Sequence, residues 1–316
     1  MMKQIMASIG TMGALAGLLS ISVAAQAQSG ATRGGTVAGT RPSGAATVPR
    51  TPAGHPDLQG LWISDAPAGV VHSLEDGQDP TSEVINGRNG PSDPAPMVIV
   101  EPPDGRIPYQ PAAAAKRKQL LADTFTPTKI EHIDPHARSA PDGVPRINYV
   151  PGGLQFREAA GSLAILYESN HAYRVIPMDG RPHPGKNIKL FMGDSRGRWE
   201  GNTLVVDVTN FNEETWFDSH GTFHSDALHV VERWTMAGPD RIDYEVTIED
   251  PKVFAKPWKI AFAINRNKTK AYEYWEDARS EGERDVERML EGGQREKDAG
   301  RTGTHEHRRP DTTRSK

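Results

Sequence analysis

The sequence predicts an all-β domain of mainly antiparallel strands, folded as a lipocalin-like curved sheet or an up-and-down barrel. From Gly161 onward, short apolar runs alternate with short turn sequences, and consecutive hairpins of this kind favour a barrel or a strongly curved sheet. In the run RIDYEVTIED, every second residue is large and apolar, which is typical of a strand with one buried face. A β-sandwich is the alternative architecture.

The front of the predicted domain contains one strand, long loops and one short helix. The run LQGLWIS predicts the first strand, and its GLW sequence resembles the start of a lipocalin-type barrel. Residues 66–160 are rich in Pro and Gly and predict long loops. Within them, PYQPAAAAKRKQLLADTF predicts the helix, because alanines and leucines follow Pro111, a residue that suits a first helical turn.

The remaining strands are predicted as four hairpins. GSLAILYES pairs with HAYRVIPMDG across Ser169-Asn170, and RWEGNTLVVDV contains the turn Glu200-Gly201-Asn202 between two strands. DALHVVERWTM is expected to pair with RIDYEVTIED, and WKIAFAIN with TKAYEYWED.

The two ends of the chain predict segments outside the domain. Residues 1–27 are interpreted as a secretory signal peptide, because Lys3 and an apolar run precede the small-residue site Ala25-Gln26-Ala27. A membrane anchor is the alternative, but Gly and Ser dilute the run and no basic flank follows it. We therefore expect a periplasmic or secreted protein with no membrane span after signal cleavage.

The predicted organisation has four parts. After the signal peptide, 28–55 is expected to be a disordered linker, because it is Gly, Ser, Thr, Ala and Pro with almost no large apolar residue. A single β-rich domain follows at 56–278. Residues 279–316 predict a charged disordered tail in which one short helix around Glu283–Glu291 has little to pack against.

Composition excludes several classes of function. The chain has no cysteine, so thiol catalysis and Cys-based zinc sites are impossible. Its formal net charge is −4 and no basic stripe is interleaved with aromatic residues, so nucleic acid is not the expected partner. The sequence contains no nucleophile elbow, phosphate loop, dinucleotide fingerprint or HExxH motif. A small-molecule ligand is the expected partner.

The segment WFDSHGTFHSDALHVVER, residues 216–233, concentrates three histidines and three carboxylates. Imidazole beside carboxylate is the pairing used for proton transfer, and three such donors can also hold a divalent metal. The predicted catalytic residues are His220, His224, Asp218, Glu232 and, from a second segment, His183. The possible metal ligands are His220, His224 and His229, and no cofactor is certain. Structural polar contacts are the remaining interpretation of this segment.

Glu232 is expected to lie on an apolar strand face, which it shares with Leu228, Val230, Trp234 and Met236. A buried carboxylate is costly unless it is paired. Two interpretations stay open: an ion pair with an arginine from a neighbouring strand, or a carboxyl group whose pKa burial raises for proton transfer. Asp207 poses a similar question, and a strand-end cap is favoured there over a functional role.

The segment PMDGRPHPG is the second candidate for a functional loop. Two prolines fix the backbone on either side of His183, and a stiff turn with an incidental histidine is equally compatible with this pattern. The predicted substrate-binding residues are Arg181, Asp194, Trp199 and Trp216. We expect His220 and His224 to point into one cavity, with Asp218 or Glu232 within reach and this loop nearby.

Several motifs, in order, resemble a family of secreted bacterial proteins whose function is unknown. They are HPDLQGLW, YRVIPMDGRPHP, GDSRGRWEGNTLVVDVTNFNEETWFDSHGTFHSDALHVVERW and YEVTIEDPKVFAKPW. The resemblance covers roughly His55 to Asp277 and implies a secreted, β-rich single domain. It implies no activity.

Two functions of different class remain open from the sequence. The first is an enzyme without a redox cofactor, of hydrolase, lyase or isomerase type, which uses His, Asp and Glu side chains on a small organic molecule. The second is a carrier for an apolar small ligand, with a structural polar cluster. A polar, titratable cavity would favour the enzyme, and a dry apolar cavity would favour the carrier.

Overall fold

The computed structural model describes residues 47–75, 98–275, 277 and 284–301. The predicted signal peptide and most of the predicted linker lie outside these residues. No helix in the described ranges has the length and apolar character needed to cross a membrane.

Ten strands and two α-helices are formed by the described residues. The strands are β1 (Gly60–Ser64), β2 (Ile99–Glu101), β3 (Gly153–Ala159), β4 (Ser162–Tyr167), β5 (Tyr173–Pro177), β6 (Asp194–Glu200), β7 (Thr203–Thr209), β8 (His229–Gly238), β9 (Arg241–Glu249) and β10 (Trp258–Arg266), and the helices are α1 (Pro111–Phe125) and α2 (Asp285–Asp298).

Nine of the strands form a nearly closed antiparallel barrel. Their order is β5-β4-β3-β1-β10-β9-β8-β7-β6, and the short β2 pairs with β10 beside this path. The two end strands, β5 and β6, approach each other closely where Gly197 lies, because a Cβ there would be 2.4 Å from Met178 Sδ and 2.7 Å from Ile176 Cγ2. The predicted all-β, barrel-like class is therefore confirmed.

The barrel interior is packed with large side chains. Residues alternate between buried and partly exposed along β8 and β9, as one-sided strands require. The interior contains fully buried aromatic residues, among them Trp62, Phe156, Tyr167, Trp234, Tyr244 and Trp258. Phe156 meets Trp234 edge-on with ring centroids 5.4 Å apart. Such rings bury on the order of 150–250 Å² each, so burial inside the barrel dominates the stability of the fold.

Three of the four predicted hairpins form as expected, and the fourth does not. The β4–β5, β6–β7 and β8–β9 pairs are antiparallel neighbours. No strand follows β10 in the described part of TKAYEYWED, because β1 already occupies that edge of β10. This segment is held instead by the buried carboxylate of Glu168, which accepts hydrogen bonds from Tyr272 Oη and from the Trp275 backbone N–H.

Both segments that were predicted to be disordered contain ordered residues. In the linker, Thr51 is buried, and the His55 ring stacks on Trp199 with centroids 4.8 Å apart. In the tail, α2 packs on the loop after α1. A Cβ on Gly293 would lie 2.0 Å from the Pro127 carbonyl oxygen, so only glycine permits this contact. Sequence composition did not reveal this close approach, and the helix expected in the tail is longer than predicted, since it spans Asp285–Asp298.

Gly293→Ala is expected to detach α2, whereas Gly292→Ala is expected to leave it docked. Overpacking a close contact costs about 1–3 kcal/mol. At Gly292 an added Cβ would have no atom within 4 Å, and Ala favours a helix by about 1 kcal/mol over Gly. Amide hydrogen exchange across 285–298 would measure the difference. Equal protection in the two variants would mean that the contact with Pro127 does not hold the helix.

Candidate functional site

The histidines of 216–233 are separated in the structure rather than brought together. His220 and His224 are both buried, but they contact different rings: Phe125 in the first case, and Phe211 and Phe217 in the second. His229 lies on the outer face of β8, since Val230 and Glu232 face inward. Over the part of the chain that the structure describes, no three His, Asp or Glu residues form a metal-binding group, so the predicted His220–His224–His229 set is not assembled.

Asp218 anchors a buried turn. Its carboxylate accepts hydrogen bonds from the backbone N–H groups of Leu74, His220 and Thr222 and from the Thr222 hydroxyl, the last at 2.7 Å. The residue is 1% exposed. Four donors satisfy a carboxylate that is out of contact with solvent, so the geometry explains Asp218 as a structural residue rather than the predicted catalytic one.

His224 is held as a neutral core residue. Its Nδ1 lies 3.0 Å from the Ser225 carbonyl oxygen, which can only accept, so Nδ1 carries the hydrogen. Its Nε2 therefore accepts from the Thr215 hydroxyl at 2.7 Å. Burial lowers the pKa of His224 below its ordinary value, against the opposing effect of the Ser225 hydrogen bond. Both nitrogens are occupied by the protein, and neither faces a ligand.

This histidine should make the protein less stable in acid. The unfolded chain binds a proton at His224 near pH 6.5, whereas the folded protein does so only at lower pH. Its contribution to the free energy of unfolding is therefore complete above about pH 6.5 and is lost as the pH falls through the folded pKa. We expect His224→Gln to flatten the slope of unfolding free energy between about pH 7 and pH 5, measured by urea titration. His171→Gln, at an exposed position, is the control, and an equal slope in both variants would contradict the assignment.

Glu232 lies inside the barrel in an ion pair. Its carboxylate oxygens accept from Arg174 Nη1 at 3.1 Å and Nη2 at 2.5 Å, and both side chains are at most 2% exposed. The predicted buried face is correct, but the arginine comes from β5 rather than from β7 or β9, the strands that pair with β8. The ion pair therefore crosses the barrel and joins β8 to an end strand.

The ion pair belongs to a larger buried network. Glu232 also accepts from the Asn148 amide and the Tyr244 hydroxyl, both at 2.9 Å, and Arg174 donates to Ser195 on β6 at 2.9 Å. Burial alone would lower the pKa of Arg174, but Glu232 and Tyr167 raise it above its ordinary value. The buried charges of Glu232 and Arg174 are thus neutralised by each other and by hydrogen bonds within the protein. The network links β5, β6, β8 and β9 near the place where the end strands β5 and β6 meet.

A cleft of about 610 Å³ lies on the outer wall of the barrel, beneath the loop that joins β5 to β6. We call it the outer-wall cleft. Its lining includes His183, Lys186, Lys189, Asn210, His229 and Lys252. Its volume is in the range of small-molecule sites. The predicted PMDGRPHPG loop therefore does border a cleft, but the cleft contains His229 rather than His220 and His224.

Asn210 fixes the loop over this wall. The residue has a left-handed backbone with φ of 63°, which asparagine adopts more readily than most residues. Its side-chain amide donates to the carbonyl oxygens of Gly185 at 3.0 Å and Ile188 at 2.9 Å. The segment that carries His183 is thereby held against the end of β7, and this positioning residue was not predicted from the sequence.

A chain of alternating carboxylates and imidazoles runs beside the outer-wall cleft, and its two imidazoles, His183 and His229, line the cleft. Arg196 Nη1 lies 2.9 Å from Asp194, whose other oxygen is 2.6 Å from His183 Nδ1. His183 Nε2 lies 3.8 Å from Asp207, and Asp207 is 2.7 Å from His229 Nε2. Asp207 and His229 are on neighbouring strands, with their side chains on the outer face.

The Asp207–His229 contact defines which nitrogen of His229 is available. An ionised carboxylate only accepts hydrogen bonds, so the hydrogen of the neutral ring is on Nε2. Nδ1 then carries the lone pair, 3.8 Å from Glu249 Oε2. The His229 side chain is 38% exposed and borders the cleft. It is an oriented imidazole with a basic nitrogen accessible from solution, which is the arrangement required of a general base.

Lysines give the rim of the cleft a positive charge. Lys252 Nζ lies 2.5 Å from Asp226 Oδ1, and Lys189 Nζ lies 3.5 Å from Asp226 Oδ2. Hydrogen bonding to Lys252 lowers the pKa of Asp226, so one carboxylate lies between two cations, and Lys186 adds a third lysine. The rim therefore attracts anions.

None of the four predicted substrate-binding residues lines the outer-wall cleft. Arg181 is 61% exposed and pairs with Asp179 on its own turn, Trp199 stacks on His55, and Trp216 is buried next to Phe223. Asp194 reaches the cleft only through His183. The lysines were not singled out in the sequence because their cluster combines residues from the β5–β6 loop and from the segment after β9.

Comparison of the chain with protein-family models, with curated proteins and with solved structures found no match.

Proposed function

We propose that this protein is an enzyme without a redox cofactor that performs acid–base chemistry on a small organic anion in the outer-wall cleft. The observation that carries the proposal is the Asp207–His229 pair at 2.7 Å, which leaves the lone pair on Nδ1 of a histidine that borders a cleft with lysines on its rim. Imidazoles oriented by carboxylates are the commonest general bases.

Each group has one role in this proposal. His229 takes a proton from the substrate, or from a water, through Nδ1 and returns it later in the reaction. Asp207 fixes the tautomer of His229 and stabilises the protonated ring. His183, paired with Asp194, lies next to Asp207, while Lys186, Lys189 and Lys252 bind the anionic group of the substrate. Hydrolysis, elimination and isomerisation all use such a proton transfer and need no redox cofactor.

A carrier of an apolar ligand is the second candidate. The barrel interior, where such a ligand binds in lipocalin-type proteins, is filled by buried aromatic residues such as Trp62 and Trp234. The outer-wall cleft is bordered by charged groups, which suit an anion rather than an apolar molecule. The packing therefore favours the enzyme.

We also propose that the protein is exported, as residues 1–27 and the family resemblance predict. Mature protein would then begin near Gln28, which mass spectrometry of the secreted or periplasmic fraction would measure. An intact Met1 in that fraction would contradict export with signal cleavage.

The enzyme proposal is tested with pairs of substrates that differ only in charge. A panel of aryl esters and lactones, each with a carboxylate and as its neutral methyl ester, is incubated with the purified protein. We expect the anionic members to be turned over with saturation. Lys189→Gln with Lys252→Gln should raise KM about tenfold with little change in kcat, since these lysines bind ground and transition states alike. Equal turnover of both members of every pair would contradict the proposal.

A further inference from the structure

We infer that a second site, the groove between α2 and residues 124–137, binds an amphipathic organic anion such as an aromatic carboxylate or sulfonate. The groove has a volume of about 780 Å³, which is enough for a molecule of two or three rings. It is lined by different residues from the outer-wall cleft, so the inference does not rest on the proposed enzyme function.

Part of the groove wall is apolar. Phe125, Pro127 and Ile133 line it from the body of the protein, and Met289 lines it from α2. Met289 is 40% exposed although it is a large apolar residue. A ligand with an apolar body would remove these surfaces from water, which stabilises the complex by about 25 cal/mol per Å² buried.

The charged groups of the groove favour an anion. The carboxylates of Asp134 and Glu296 are already bound in two-pronged contacts, to Arg146 at 2.7 and 2.7 Å and to Arg301 at 2.7 and 3.0 Å. Arg288 and Arg295, by contrast, meet a carboxylate of their own helix only at 3.5 and 3.6 Å and are each 71% exposed. Exposed pairs of that length contribute little, so both guanidinium groups are able to bind a carboxylate or sulfonate.

Gly292 is the observation that most directly indicates a ligand. Glycine in a helix interior costs about 1 kcal/mol relative to alanine. For Gly293 the contact with Pro127 explains this cost. For Gly292 no packing contact does, because a Cβ would have no atom within 4 Å. Gly292 lines the groove. Because it has no side chain, the groove is wider at this position.

The probe for this site is 1-anilinonaphthalene-8-sulfonate, whose rings fit the apolar walls and whose sulfonate suits the arginines. Fluorescence titration of the full-length folded protein is expected to show a saturable site. The Cβ of Gly292→Leu would have no atom within 4 Å, and the rest of the side chain would occupy groove space, so affinity should fall at least about tenfold, equivalent to 1.4 kcal/mol. Gly292→Ala, the matched control, should bind within about twofold of wild type, a difference below 0.5 kcal/mol.

A second pair of variants tests the charge. Arg288→Gln with Arg295→Gln should weaken binding about tenfold, whereas Arg284→Gln, at an arginine that does not line the groove, should not. The titration is repeated on the double variant Lys189→Gln and Lys252→Gln, which lacks two cations of the outer-wall cleft. Probe binding in the groove should persist in this variant. Absence of saturable binding, or equal binding by Gly292→Leu and Gly292→Ala, would overturn the inference. Amide exchange across 285–298 verifies that α2 stays docked in each variant.

Discussion

Glu232→Ala is expected to lower the free energy of unfolding by about 3–5 kcal/mol, because removing one member of a buried ion pair leaves the other without a counter-charge. Arg174 is buried, and its guanidinium group would lose the carboxylate that pairs with it, although its contacts with Ser195 and Tyr167 remain. The Asn148 and Tyr244 donors that now point at Glu232 would also lose their acceptor. Urea denaturation monitored by tryptophan fluorescence measures the change.

Two further variants separate the charge effect from the loss of side-chain volume. Asp243→Ala, on the exposed face of β9 with a side chain 53% exposed, should change the free energy of unfolding by no more than about 0.5 kcal/mol. Glu232→Leu combined with Arg174→Met should recover much of the loss, since apolar residues of similar volume often replace buried ion pairs without cost. A Glu232→Ala variant as stable as Asp243→Ala would show that Glu232 is not buried as described.

His229→Gln should lower turnover of an anionic substrate by about 10²–10⁴-fold, the usual contribution of a general acid–base residue. Stability should change little, because the side chain is 38% exposed. Asp207→Asn is expected to have a comparable effect by a different route. The asparagine amide can donate an N–H to His229 Nε2. The ring hydrogen would then be on Nδ1, and Nδ1 could no longer act as the base.

The control for both variants is His171→Gln, which changes an exposed histidine on the turn between β4 and β5. It should retain wild-type kcat/KM. The dependence of kcat/KM on pH adds a readout that a structural defect would not reproduce. The increase of kcat/KM with pH that is due to the general base should disappear in His229→Gln and persist in His171→Gln. Full activity in His229→Gln would remove His229 from the reaction.

The fold class could be predicted because the strands are one-sided and local. Alternation along β8 and β9 identified the buried face, including Glu232, from the sequence alone. The partner of Glu232 could not be predicted, since Arg174 is 58 residues away in the chain and reaches it across the barrel. Strand β3 was missed because GLQFREA follows a long loop-like stretch, and the strand predicted after β10 was excluded by the long-range pairing of β10 with β1.

The candidate site was predicted only in part, for the same physical reason. His183 and Asp194 stood out in the sequence, and they do contact each other. His220 and His224 stood out for their density of polar neighbours. In the structure, Thr215 and Ser225 hydrogen-bond to the ring of His224, and His220 packs against Phe125. The pairing of Asp207 with His229 depends on the register between β7 and β8, which the sequence does not specify. The sequence alone therefore favours a strand-end cap for Asp207.

Histidine modification is the most direct test of whether His229 is the general base of an anion-binding cleft. Diethyl pyrocarbonate acylates unprotonated, accessible imidazole nitrogens, and peptide mass spectrometry gives a rate for each histidine. We expect His229 to be modified faster than the exposed His171, inorganic phosphate to slow the modification of His229 alone, and Asp207→Asn to bring the rate of His229 down to that of His171. If His229 reacts no faster than His171, or if phosphate does not protect it, His229 is not the base of an anion-binding cleft.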